Sequence, residues 1–75
     1  MKAEYCNGYK QIGFKIKTYR KKAGLTQEQL AEKVGKSTTF ISHLEAPGIF
    51  KAPSLDTLMD IAKALDVPLY KLTEF

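Results

Sequence analysis

The chain has 75 residues, 44% of them hydrophobic, with 12 Lys and Arg against 8 Asp and Glu for a formal charge of +4. That length holds one core and leaves little room for a separate catalytic or ligand-binding lobe. The single cysteine, Cys6, excludes an intramolecular disulfide, and the single histidine, His43, leaves no ordinary zinc ligand set; neither a metal nor any cofactor is expected.

No apolar run approaches the ~20 residues that span a bilayer, and the first ten residues, MKAEYCNGYK, lack the apolar core of a signal peptide. A cytoplasmic protein with no membrane partner is expected. Lys10, Lys15, Lys17, Arg20, Lys21 and Lys22 form a basic block without an acid, while Asp56, Asp60 and Asp66 fall in the last third, so one end of the molecule should be positive and suited to a polyanion.

Residues 1–10 are read as an N-terminal extension of flexible character, and 11–75 as one domain. In QIGFKIKTYRKKAG, Ile12, Ile16, Tyr19 and Ala23 recur at three and four residues, the pattern of a helix with one buried stripe, and Gly24 is placed to end it. Thr26 then supplies an N-cap oxygen and Gln29 the returning bond of a capping box, opening the second helix, QEQLAEKV, with Leu30, Ala31 and Val34 inward. Gly35 ends it, because glycine enters the left-handed conformation without steric cost. Ser37 caps the third helix, Thr38 to about Ala46. So short a turn makes the two helices cross steeply, and the small Ala31 lets their backbones come close.

PGIFKAP reads as turn chemistry. Ser54 caps a fourth helix carrying Leu58, Ile61, Ala62 and Leu65 at helical spacing, and Pro68 suits the first turn of a last helix whose Leu69 and Leu72 close the core. The expected architecture is all-α, with five short helices.

Projected at 100° per residue, the third helix puts Phe40, Ile41 and Leu44 on one side and Thr39, Ser42, His43 and Ala46 on the other. An outward face of short donors and acceptors, with neither lysine nor glutamate on it, matches what the major groove of B-DNA presents. A merely solvated helix is the alternative.

The segment GLTQEQLAEKVGKSTTFISHLE, followed by Pro53-Ser54-Leu55, resembles the Cro and phage-repressor type of helix-turn-helix regulator, the XRE-like family, over about Ile12 to Leu72. The shared pattern is Gln27, Leu30, Ala31, Gly35, Ile41, Ser42, Glu45, Pro53, Ser54 and Leu55. The resemblance implies a five-helix, lambda-repressor-like domain and a sequence-specific, double-stranded DNA-binding transcriptional regulator. Such a protein is a repressor or autoregulator, bacterial or phage-encoded, and nucleoid-associated when bound as a homodimer to a palindromic operator. It further implies that Thr38, Thr39 and His43 reach base edges, that Gln27 holds a phosphate, that Ser37 and Ser42 lie near the DNA backbone, and that Arg20 pairs with Glu45.

Three departures from the pattern bear on function. Lys36 stands where relatives carry Val or Ile, which implies a looser turn or an ammonium that reaches a phosphate. Asp66 replaces a common glycine. The loop from Ala46 to Ala52 is longer by about two residues than the resemblance leads one to expect. It carries Ile49, Phe50 and Lys51, the last a phosphate contact on the path back over the DNA strand.

The competing reading is a protein-interaction module, antitoxin-like, that uses the Ile49-Phe50 loop or the aromatic residues Tyr70 and Phe75. Tyr5 and Tyr9 are read as packing or as part of an arm. Catalysis is not expected: Ser37, Ser42, His43 and Glu45 hold the letters of a triad, but they lie on one short helical segment with no oxyanion pocket.

Overall fold

The computed structural model describes residues 2–49 and 51–74. After a 3-10 turn at Ala3–Tyr5, the described residues form five α-helices: α1 (Cys6–Lys22), α2 (Gln27–Val34), α3 (Thr38–Glu45), α4 (Leu55–Ala64) and α5 (Tyr70–Thr73). Helix α1 packs on α3 and α5, and α2 packs on α3 and α4. Ile16, Leu30, Ile41, Ile61 and Leu72, fully enclosed, form the centre they share.

The helices start where the sequence places side-chain oxygens. Thr26 Oγ1 accepts the Gln29 amide at 3.1 Å while the Thr26 amide donates to Gln29 Oε1 at 2.8 Å, a complete capping box on α2. Ser37 Oγ accepts the Phe40 amide on α3 at 3.0 Å, and Ser54 Oγ the Thr57 amide on α4 at 3.1 Å. Each such cap is worth about 1 kcal/mol.

Three helices end alike. At Gly24, Gly35 and Asp66 the backbone turns left-handed, and the next amide reaches back to a carbonyl five residues earlier: Leu25 to Arg20, Lys36 to Ala31, Val67 to Ala62. These are Schellman exits, which satisfy carbonyls that the helix end would orphan. The turn between α2 and α3 is therefore closed rather than loosened by Lys36.

Asp66, at φ 57°, is the one described non-glycine residue with positive φ. Its exit is built as at the two glycines but carries the steric cost of a Cβ. Asp66→Gly is expected to raise stability by about 0.5–1 kcal/mol in urea unfolding. A loss of stability would show that its carboxylate contributes more than the glycine would relieve.

Two features of α1 differ from the sequence reading. It begins at Cys6, several residues before the apolar periodicity starts. Its most buried positions are Gly13, Ile16 and Arg20, with Ile12 and Tyr19 half-buried and Ala23 exposed beyond the helix end. A glycine and an arginine do not register in an apolar periodicity, so the stripe looked shifted toward Ile12 and Ala23. Gly13 is where α1 lies directly against the end of α3: a Cβ there would overlap the carbonyl oxygen of Leu44 and come 3.1 Å from its carbon.

Candidate nucleic-acid interface

Helix α3 divides into faces much as its sequence suggests. Ile41, Leu44 and Glu45 are buried, Thr38 and Thr39 are exposed, and Ser42, His43 and Ala46 are half-buried. Phe40, expected with the core, lies on the boundary and is only half-buried. Among the described residues, no hydrogen bond or ion pair within the fold engages the side chains of Thr38, Thr39, Ser42 or His43. Their donors and acceptors stay available to another molecule.

One flank of that face is held by an ion pair. Arg20 Nε donates to Glu45 Oε2 at 2.7 Å and Arg20 Nη2 to Glu45 Oε1 at 3.0 Å, with side-chain exposures of only 9% and 2%. Arg20 Nη1 also donates to the Leu25 carbonyl at 2.7 Å, and Gln27 Nε2 donates to Glu45 Oε1 at 3.1 Å. A planar guanidinium can make all three bonds at once, which a lysine ammonium cannot. Glu45 thus joins the end of α3 to α1 and the start of α2, and Arg20 extends the network to the α1–α2 turn. No buried side-chain polar atom among the described residues lacks a partner.

Gln27 is accordingly tied to Glu45, and its Nε2 carries a second hydrogen that this bond does not use. Arg20, counted in the basic block by its place in the sequence, is withdrawn from the surface, whereas Lys10, Lys17, Lys21 and Lys22 remain exposed and Lys15 half-exposed. The other flank of α3 carries Phe40. The Lys36 ammonium lies 5.4 Å and the Lys51 ammonium 5.1 Å from the centre of its ring. Lys36, Ser37 and Lys51 are all exposed.

A helix-turn-helix family model, HTH_3, matches residues 16–72. The chain belongs to this family. Within HTH_3, the chain is 35% identical over 63 residues to the HTH-type transcriptional regulator SinR of Bacillus subtilis (strain 168), covering 84% of this chain and 56% of that protein. SinR of Bacillus licheniformis is 36% identical over 61 residues, covering 81% of this chain and 54% of the relative. The chain therefore spans about half the length of the curated relatives it matches. A crystal structure of SinR, described as the master regulator for biofilm formation, in complex with DNA is similar with a TM-score of 0.74. It is 36% identical and covers 81% of this chain and 95% of that one.

The HTH_3 chain also shows what its sequence did not announce. A groove of about 490 Å³ between the start of α1 and α4 is lined by Tyr5, Tyr9, Ile12, Pro53, Leu55 and Leu58, together with Glu4 and Gly8. Leu55 and Met59, one turn apart on α4, are about half exposed. Tyr5 and Ile49 are exposed as well, and so is Tyr70. Phe50 and Phe75, grouped by sequence with Ile49 and Tyr70, lie outside the described residues. Among those described, no helix is long and apolar enough to cross a membrane, and no cluster of His, Cys, Asp and Glu could hold a metal ion.

Proposed function

We propose that this chain is a sequence-specific DNA-binding transcriptional regulator, reading double-stranded DNA in the major groove with α3. The observation that carries the reading is the outward face of α3: Thr38, Thr39, Ser42 and His43, whose side chains make no hydrogen bond or ion pair among the described residues, on a helix whose inner face is fixed by the core and by Glu45. The likeness to SinR, solved with DNA, supports it.

Thr38, Thr39 and His43 are assigned to base edges, and Gln27, Lys36, Ser37, Ser42 and Lys51 to phosphates. Arg20 and Glu45 keep the two helices in register. One helix makes few base contacts, so the functional unit is a homodimer on a palindromic operator, with half-sites about 34 to 36 Å apart. Cytoplasmic action as a repressor or autoregulator, without catalysis, follows from the same reading.

Selection of bound duplexes from a random pool tests it. Enrichment of a palindrome is expected, and on that site His43→Ala and Thr39→Ala should each cost ~1 to 3 kcal/mol and relax preference at one position per half-site. Unchanged affinity and preference in both would remove α3 from the reading role. The exposed Ile49 and Tyr70 favour a second reading, a protein-interaction surface. Failure of the pool to enrich any duplex, with partner capture lost on Tyr70→Ala or Ile49→Ala, would shift the assignment to it.

A further inference from the structure

Lys36 and Lys51 come from opposite sides of α3 in the sequence, one from the turn before it and one from the loop after it. Their ammoniums nevertheless converge on one ring, 5.4 and 5.1 Å from the centre of Phe40. Among the described residues neither has a carboxylate within ion-pair distance. Two positive charges without a carboxylate partner are therefore each held near the same aromatic ring, by an attraction that is modest at exposed sites yet directional.

The backbone beneath is equally fixed. The Lys36 amide is bound in the Schellman exit of α2 at 2.9 Å, and the Phe40 amide by the Ser37 cap at 3.0 Å. In a Schellman exit, the residue after the left-handed glycine usually places an apolar side chain against the helix it leaves. Lys36 occupies that position here and turns its charge to Phe40 instead.

At 100° per residue, Glu45 falls beside Thr38 on one edge of the outward face and Phe40 beside His43 on the other. The reading face is thus bordered by Gln27, held on Glu45, and by the two lysines, held on Phe40. A helix lying in a major groove ~12 Å wide has a phosphodiester strand along each edge.

Resting on the DNA-binding reading, the geometry points to Phe40 as a positioning residue: it preorganises Lys36 and Lys51 as a phosphate clamp on the strand across the groove from Gln27. The ring touches no base. It restrains two flexible side chains before DNA arrives, so less of their freedom is lost on binding.

The test titrates a mixed-sequence duplex at a series of salt concentrations, with the full chain and with variants whose folding is checked by circular dichroism. Replacing both lysines, K36Q with K51Q, should lower the slope of log affinity against log salt by about 1.8, two phosphate contacts at about 0.9 each. Phe40→Leu keeps an apolar side chain on the core but removes the ring, and should weaken binding by roughly three- to ten-fold. That loss should vanish in the K36Q/K51Q background, whereas Phe40→Tyr, which retains the ring, should bind like the parent chain. Should Phe40→Leu fail to fold, Phe40→Met serves in the same cycle.

Tighter binding by Phe40→Leu, or an equal loss with and without the lysines, would overturn the clamp while leaving the DNA reading intact. Failure of the parent chain to hold the duplex even at low salt would overturn that reading and the clamp with it.

Discussion

Arg20→Ala should destabilise the domain by about 3–5 kcal/mol in urea unfolding, because it strands a carboxylate that is 2% exposed. A domain of this size has about 4–11 kcal/mol in total, so the loss should remove from about a quarter of that stability to all of it. The loss is not the worth of the pair. It is the desolvation cost of Glu45 once its two bonds from the guanidinium are gone, together with a Leu25 carbonyl left without its side-chain donor.

Arg20→Lys should fall between the parent chain and Arg20→Ala, since a single ammonium cannot serve both carboxylate oxygens and the carbonyl together. Replacing both partners with apolar residues, Arg20→Met with Glu45→Leu, should recover part of the loss, as no charge is then buried. Added salt should change these differences little, the pair being shielded from solvent. A loss below about 1 kcal/mol for Arg20→Ala would place the pair with weak surface bridges.

Gly13→Ala should destabilise by about 2–3 kcal/mol or more, against the ordinary expectation for a helix interior. There, alanine in place of glycine normally gains about 1 kcal/mol. At Gly13 the added methyl would overlap the Leu44 carbonyl, which is backbone and has no rotamer to yield. Helix α1 would have to move off α3, and Leu44 is followed by Glu45, so the ion pair would be disturbed too.

The same helix supplies the control: a methyl added at Gly8 would meet nothing within 4 Å, and Gly8→Ala should stabilise by about 0.5–1 kcal/mol. Opposite signs at two glycines five residues apart on α1, measured by denaturant midpoint, are the expected result. Equal shifts at both would mean that α1 and α3 leave room for a methyl between them.

Most of the fold was legible in the chain because its caps are chemical. Thr26 with Gln29, Ser37 and Ser54 mark helix starts that the structure reproduces bond for bond, and Gly24 and Gly35 mark two of the exits. The start of α1 was not legible. Tyr5 precedes it without a side-chain cap, and Asn7 and Gly8 are poor helix formers, so nothing local announces Cys6.

Gly13 was hidden for another reason: one sequence shows a glycine in a helix but not what stands across from it. In the candidate site, angular projection separated Thr39, Ser42 and His43 from Ile41 and Leu44. Projection cannot show a contact made through a loop. Lys51 reaching Phe40, and Gln27 reaching Glu45, both depend on how distant segments fold together.

Among the described residues, the side chains of Thr38, Thr39, Ser42 and His43 contribute no hydrogen bond or ion pair to the fold that displays them. On the proposed reading, base recognition by Thr38, Thr39 and His43 then draws on no hydrogen bond that the fold needs. Exchanging Thr38 and Thr39, both exposed, should change the preferred duplex while the melting temperature hardly moves. A duplicated copy of such a chain could acquire a new target through exposed positions whose exchange leaves the core untouched.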